Sequence, residues 1–510
     1  VQFHFVKLHD GEPAMRLLAD SGLTTREACG NSVRNITACP YAGVSADERF
    51  DVTPYAEALT RYLLRHPLSS TLPRKFKIGF EGCSTDHVMT SINDLGFRAV
   101  GSESGRGFRV TAGGGTAIMT RSGGVLHEFL PASEILRVAE AVLRVFKRFG
   151  DYQHKQRNRM KFMIRELGWT RWREEYEREL TACRLQGAVP TLDIEPPAAE
   201  SRLDEPHDSP LSVGDIAARV GAGRISGPGV TPSVVPIFEP GNVEYARWHA
   251  TNVRPQKQFG YVMVVATVPL GDLTSEQLRV LAQLSRAYGD GGVRVTPEQD
   301  LLFRWINSND VRQLYRRLAA AGLGLAQAGT VADVTSCPGA ESCRLAVTQS
   351  RGLGRLVEDH LRARPDLIAA ADGARIKVSG CPNGCGLHHI ATIGFQGSVR
   401  RVGAKAVPQY FVMVGGGSTA TGAAFGRLAA KIPARRIPEA VDRLIDLYAR
   451  EKQESETAPA FFARIPLEQV KPVLADLERL EAAEAQPADF IDLGEAAEFA
   501  PEVMEGECAS

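Results

Sequence analysis

Apolar and polar residues alternate at the start of the chain, Val1-Gln-Phe-His-Phe-Val-Lys-Leu8, the period-two signature of a half-buried strand. The next residues switch to helical spacing. The same strand-then-helix pattern returns about 300 residues later: residues 1–23 align without gaps on 301–323, Phe3 meeting Phe303, Phe5 meeting Trp305 and Gly22-Leu23 meeting Gly322-Leu323. Three more matches follow in the same order. Asn35-Ile-Thr-Ala-Cys39-Pro40 parallels Asp333-Val-Thr-Ser-Cys337-Pro338. Lys77-Ile-Gly-Phe-Glu-Gly82-Cys83 parallels Lys377-Val-Ser-Gly380-Cys381. Gly113-Gly-Gly115 parallels Gly415-Gly-Gly417, each closing a strand ahead of a helix that follows Pro131 or Pro433. Ordered matches of this kind make the chain two related halves.

The pattern divides the chain into six parts. Residues 1–25 are the remainder of a first small strand-and-helix unit, and 26–188 form a first α/β lobe with basic, helix-patterned sequence over 135–180. Residues 189–240, rich in Pro, Ala, Glu and Gly, read as a linker with one short helix near 213–220. Residues 241–330 form the second small unit, 331–450 the second lobe, and 451–510 an acidic, Ala-rich tail expected to be peripheral. The second half carries a block, 258–289 and Gly292-Val-Arg294-Val-Thr296, with no counterpart in the first. By internal symmetry some tens of residues are therefore expected upstream of Val1, and the chain reads as a fragment.

Composition narrows the class. With 510 residues, 44% of them hydrophobic, the chain can form two or three cores. Sixty basic and sixty acidic residues cancel, which argues against a surface built to neutralise nucleic-acid phosphates. No apolar run reaches the roughly 20 residues that span a bilayer, and no secretory leader opens the chain, so the expected location is the cytoplasm. Nine cysteines, thinly spread apart from one group, do not write a disulfide scaffold.

That group is Cys337-x5-Cys343 and Gly380-Cys381-Pro-Asn-Gly-Cys385-Gly386. Four thiolates are what an iron–sulfur cubane needs, and Gly380, Gly384 and Gly386 let backbone amides approach inorganic sulfur. Structural zinc is the rival, but its sites favour C-x2-4-C knuckles. Cys39 and Cys83 occupy repeat positions equivalent to two of the four and are expected to be buried relics; Cys29, Cys183 and Cys508 lie outside the group. His388 and His389 read as packing or surface residues, and the glycine runs as tight turns rather than phosphate loops.

The cysteine spacing, the duplicated plan and Leu72-Pro-Arg-Lys-Phe-Lys77 together resemble the sulfite and nitrite reductase haemoprotein family. The resemblance implies an α/β fold of two ferredoxin-like half-units and two larger lobes. It implies a [4Fe-4S] cluster on Cys337, Cys343, Cys381 and Cys385, with Cys385 shared with a sirohaem. It implies a substrate anion held by Arg34, Lys75 and Lys77, with Arg74, Arg159 and Lys161 toward the sirohaem carboxylates and Asn383 orienting the cluster loop. Lys75 and Lys77, two apart on an expected strand, share a face. A further family arginine would fall before Val1, and Arg294 is its counterpart in the second half. Electrons are expected from a separate ferredoxin or flavoprotein. Sulfite is favoured because Lys77 stands where nitrite enzymes tend to carry Asn. Assimilatory nitrite reductase, precorrin-3B synthase and a non-catalytic iron–sulfur carrier are the alternatives.

Overall fold

The structure is a computed structural model describing residues 2–4, 6–102, 105–154, 156–194, 208–222 and 241–501. The first lobe is built on a five-stranded sheet whose strands lie in chain order: β1 (Val33–Ala38), β2 (Phe76–Glu81), β3 (Leu95–Ser102), β4 (Gly105–Ala112) and β5 (Gly124–Pro131). The first three run parallel and the last two antiparallel. A four-stranded sheet follows, ordered β6-β7-β9-β8, from β6 (Val253–Pro255), β7 (Tyr261–Ala266), β8 (Arg294–Val295) and β9 (Leu301–Asn307). The second lobe repeats the first with β10 (Thr335–Ser336), β11 (Ile376–Ser379), β12 (Ile393–Val402) and β13 (Lys405–Val414). A hairpin of β14 (Gly417–Thr419) and β15 (Gly422–Ala424) then intervenes before the fifth strand of the sheet, β16 (Arg427–Pro433).

The repeat holds at the level of backbone bonds. Ile78 pairs with Leu95 and Ile376 with Ile393, fixing an offset of 298, the difference between 376 and 78. That register sets Lys77 against Arg375, not against Lys377 as the sequence match has it. Gly113 and Gly415, at φ +82° and +81°, turn the chain out of β4 and β13 in a left-handed conformation that favours glycine. Behind each fifth strand a one-turn 3-10 helix leads into a 15-residue helix, Ile135–Phe149 or Ile437–Glu451, whose apolar face covers the sheet. In the first lobe Phe80 stacks on Phe97 with ring centroids 4.6 Å apart, and Phe108 meets both edge-on.

Three expectations change. Among the described residues no strand precedes Val33; the amphipathic helix forms at Gly11–Asp20, but it buries no side chain, and Phe3 and Leu8 are exposed. The repeat partner of residues 1–7, β9, is a strand because β7 and β8 flank it and complete its ladder, whereas the described residues among 2–7 join no sheet. The tail is not peripheral: Phe461, Phe462, Ile465, Val470, Leu474 and Leu493 pack into the second-lobe core, and Asp492 accepts the Gln349 amide at 2.8 Å. The short helix expected in the Pro-rich stretch forms at Val213–Ala222, but it is not free linker, because Ile216 is fully buried with Trp248 and Leu284 in the core of the four-stranded unit. Cys508 and residues 195–207 and 223–240 of the Pro-rich stretch lie outside the described residues. No helix among those described is long and apolar enough to cross a membrane.

Candidate functional site: a cysteine cage facing a basic pocket

The cysteine residues sit on two loops at the ends of β10 and β11. Parallel pairing of these strands brings the loops side by side, and the Cys337 amide donates to the Val378 carbonyl at 3.2 Å. The amides of Val347 and Thr348 both donate to the Gly380 carbonyl, at 2.8 and 3.2 Å, tying the Cys343 loop to the Cys381 loop. Glycine is forced at several points. A Cβ on Gly386 would lie 1.9 Å from the Val378 carbonyl, one on Gly380 2.7 Å from the Thr348 carbonyl, and Gly384 and Gly339 hold positive φ.

The four sulfurs converge. Burial pushes the Cys381 thiol up to about 12, and Cys385, Cys337 and Cys343 add to that as negative neighbours, whereas the Asn383 amide, donating to the Cys381 sulfur, opposes it. Asn383 thus acts on the loop through its backbone. The Gly380 amide donates to the Cys337 sulfur at 3.3 Å. Cys337 and Cys381 are buried, Cys343 half-buried and Cys385 exposed. A cage with three sheltered thiols and one outward-facing thiol suits a cluster that shares one ligand with a second group.

A basic pocket from the first lobe faces this cage. Lys77, in β2, and Lys75, just before it, lie beside Arg159 at the N-terminus of the helix Met160–Leu167 and Lys161 within it. Desolvation, reinforced by Arg159 and Lys75, drives Lys77 down to about 8, with Cys385 and Asp94 pulling the other way. Lys161 is driven to about 7 by burial and then by Arg159. The carboxylate set against these cations is Asp94, fully buried, which accepts Arg159 Nη2 at 2.8 Å and the Lys77 amide at 3.0 Å. Gly115, of the first glycine run, makes room here: a Cβ would press on Lys161 Cδ at 3.1 Å and Arg159 Nη1 at 3.2 Å.

The structure therefore brings Lys75, Lys77, Arg159 and Lys161 together and sets Lys77 toward Cys385. Arg74 is buried beside them in sequence. Arg34 flanks the group on β1, between the pairs Val33–Phe76 and Asn35–Lys77, but its guanidinium donates to the carbonyls of Ala28 and Gly30. Arg294 donates to the carbonyls of Pro40 and Ala42, so it braces the Cys39 loop. His388 and His389 are buried and pushed down to about 3 and about 4, chiefly by desolvation, and so are neutral. The Lys161 charge also depresses His389, which places it in the same pocket. Sequence reading missed Asp94 and His389; a lone Asp in Ile-Asn-Asp-Leu carries no motif, and only the fold puts it under two cations.

Fold and site define an internally duplicated α/β protein with four cysteines on two loops of one lobe and a basic pocket on the other. Family comparison makes this specific. The nitrite and sulphite reductase 4Fe-4S domain matches residues 29–182 and again 327–481, and the nitrite/sulfite reductase ferredoxin-like half domain matches 254–321. The chain belongs to the nitrite and sulfite reductase family, and its cofactors are a [4Fe-4S] cluster and sirohaem. It is 27% identical to the ferredoxin–nitrite reductase of Synechococcus elongatus, over 82% of this chain and 72% of the relative. It is 26% identical to sulfite reductase [ferredoxin] 1 of Mycolicibacterium paratuberculosis, over 92% of this chain and 76% of the relative. The solved structure of Mycobacterium tuberculosis NirA protein superposes with a TM-score of 0.73 at 26% identity, covering 92% of this chain and 77% of that one.

Proposed function

We propose that the chain carries out the six-electron reduction of sulfite to sulfide in cytoplasmic sulfur assimilation, drawing its electrons from a ferredoxin. The observation that carries this reading is the excess of sheltered positive charge set against the exposed Cys385: Lys75, Lys77, Arg159 and Lys161 against Asp94. Lys161 Nζ also donates to the Thr116 and Ile118 carbonyls at 2.6 and 2.8 Å, and a pocket in which cations outnumber carboxylates favours added anions. A small oxyanion and a macrocycle edged with carboxylates are such anions.

In this reading Cys337, Cys343, Cys381 and Cys385 would hold the cluster, Cys385 being the one toward the sirohaem, and the two groups together would supply the electrons for the reduction. Arg74, Arg159 and Lys161 hold carboxylates; Arg159 keeps a buried Nε outside its bond to Asp94 for that purpose. Lys75, Lys77 and Arg34 hold the oxyanion. Lys77, brought down to about 8, is charged near neutrality yet readily gives up a proton, which suits a donor to oxygen leaving as water. His388 and His389, neutral, contribute no charge and leave the anion to the amines.

The donor is proposed from the relatives of both kinds, whose names carry ferredoxin. Those relatives are equally similar, so nitrite reduction to ammonia is the second reading, and Lys77 is the reason for ranking sulfite first. Purified holoenzyme supplied with reduced methyl viologen should turn over sulfite with a higher kcat/KM than nitrite, and Lys77→Asn should move that ratio toward nitrite. A nitrite preference in the wild type would reverse the ranking, and turnover of neither anion would remove the reading.

A further inference from the structure

The first lobe contains a second group of metal-ligating side chains, at the place that mirrors the cysteine cage. At the offset of 298, Cys39, Ser45, Cys83 and His87 fall on Cys337, Cys343, Cys381 and Cys385. Backbone bonds confirm the correspondence. The Cys39 amide donates to Phe80 as Cys337 does to Val378. Ser45 donates to Tyr41 as Cys343 does to Gly339, Arg49 to Gly82 as Val347 does to Gly380, and Met89 to Asp86 as Leu387 does to Gly384. Met89 and Leu387 both adopt left-handed backbone, at φ +52° and +62°.

Two of the four thiolates are gone, so this frame cannot hold a cubane. The side chains instead close around one point. The sulfurs of Cys39 and Cys83 are 3.6 Å apart, Cys39 Sγ is 3.4 Å from His87 Nδ1, and His87 Nδ1 is 3.6 Å from Glu81 Oε2. All four donor atoms lie within 4.8 Å of one another. A tetrahedral ion with bonds of about 2.0–2.3 Å spans edges of about 3.3–3.8 Å, and the three distances of 3.4–3.6 Å fall in that range. Cys39, Glu81 and Cys83 are buried and His87 is half-buried.

We propose that Cys39, Glu81, Cys83 and His87 bind a single divalent ion, zinc by its donor set, as a closed structural site. Two thiolates, an imidazole and a carboxylate favour zinc over magnesium or calcium, and four protein ligands leave no open position for chemistry. The surroundings hold the ligands in place before any ion arrives. Glu81 accepts the Cys83 amide at 2.8 Å and the His87 and Val88 amides at 2.7 and 3.2 Å, which shapes the 83–88 turn and aims the carboxylate inward. The Cys39 loop is held from the four-stranded unit, where Arg294 reaches Pro40 and Ala42, Arg254 Nη1 donates to the Tyr41 hydroxyl at 3.0 Å, and Lys257 pairs with Glu48 at 2.7 Å. The ion would fasten the β1 and β2 loops where the cluster fastens those of β10 and β11.

The test is elemental analysis of the full chain carrying its haem and cluster, after exchange into metal-free buffer. It should return about one zinc per chain, with a zinc K-edge spectrum fitted by about two sulfurs at 2.3 Å and two lighter atoms at 2.0–2.2 Å. Cys83→Ser and His87→Ala should each lower zinc at least about tenfold while iron content and the visible bands stay as in the wild type. Less than about one zinc per ten chains, with no uptake of added zinc chloride surviving desalting, would overturn the proposal, as would full zinc content in both variants. If the variants do not fold, the wild-type spectrum decides, because a shell without sulfur refutes the site. A Cys39–Cys83 disulfide found by thiol labelling of the denatured protein refutes it too.

Discussion

The two lobes share one backbone and differ in what that backbone presents. In the second, the loops after β10 and β11 offer four cysteines; in the first, the corresponding loops offer two cysteines, a serine and a histidine, and the chemistry moves to the basic residues of β2 and the helix Met160–Leu167. Loop amides, left-handed residues and glycines recur at matching positions across both. Duplication thus conserved the frame that presents ligands and released the ligands themselves. One copy gathers thiols and the other gathers basic side chains.

The largest break in this comparison is expected from Cys381→Ser. It should abolish reduction of either anion and strip the cluster, seen as lost iron and lost cluster absorbance, while Cys83→Ser at the mirrored position leaves the cluster iron in place. Lys77→Ala, in the other lobe, should keep the iron and cost about 100- to 1000-fold in kcat/KM, the range for removing one group that stabilises developing charge. The small units differ as well. Phe303→Ala, fully buried in the four-stranded unit, should cost about 3–5 kcal/mol in a urea titration. A milder contrast comes from pH. Lys77 is held down to about 8, so its charge is present below that pH and lost above it. The KM for nitrite, an anion that stays ionised throughout, should therefore rise by about fivefold between pH 8 and 9, and Lys77→Arg should flatten the rise. Smallest of all, Phe3→Ala, at the repeat position of Phe303 but 61% exposed, should stay within about 0.5 kcal/mol of the wild type.

The duplication, the grouping of the four cysteines and the basic pair were legible because each is written locally: turns that demand glycine, cysteines a few residues apart, lysines two apart at a strand, although β2 begins at Phe76 and leaves Lys75 just outside it. The rest depends on distance in space. Residues 1–8 have a strand's alternation, but alternation specifies a face and not a partner, and the described residues among them join no sheet. The tail looked peripheral because its charges dominate its composition; Phe461, Phe462 and Leu474, a minority at helical spacing, decide where it goes. Asp94 carries no motif and meets Lys77 and Arg159 only through the folding of the first lobe, and His389 meets Lys161 only across the two lobes. Cys39 and Cys83 were readable as relics, and what changes their meaning is Glu81 and His87, neither of which resembles a cysteine in the sequence.

The hairpin of β14 and β15 carries a consequence for assembly. Ser418 donates to Asp86 at 3.0 Å, the Ala423 amide to Ser122 at 3.2 Å, and Arg109 to the Ala420 carbonyl at 3.4 Å, so a short ribbon from one lobe is buttoned onto the other. A jaw that swings open to admit a large planar pigment would have to undo all three fastenings. The expected order of biogenesis is therefore pigment first and ribbon last, and a folded, empty chain should load its macrocycle slowly unless the ribbon is loosened.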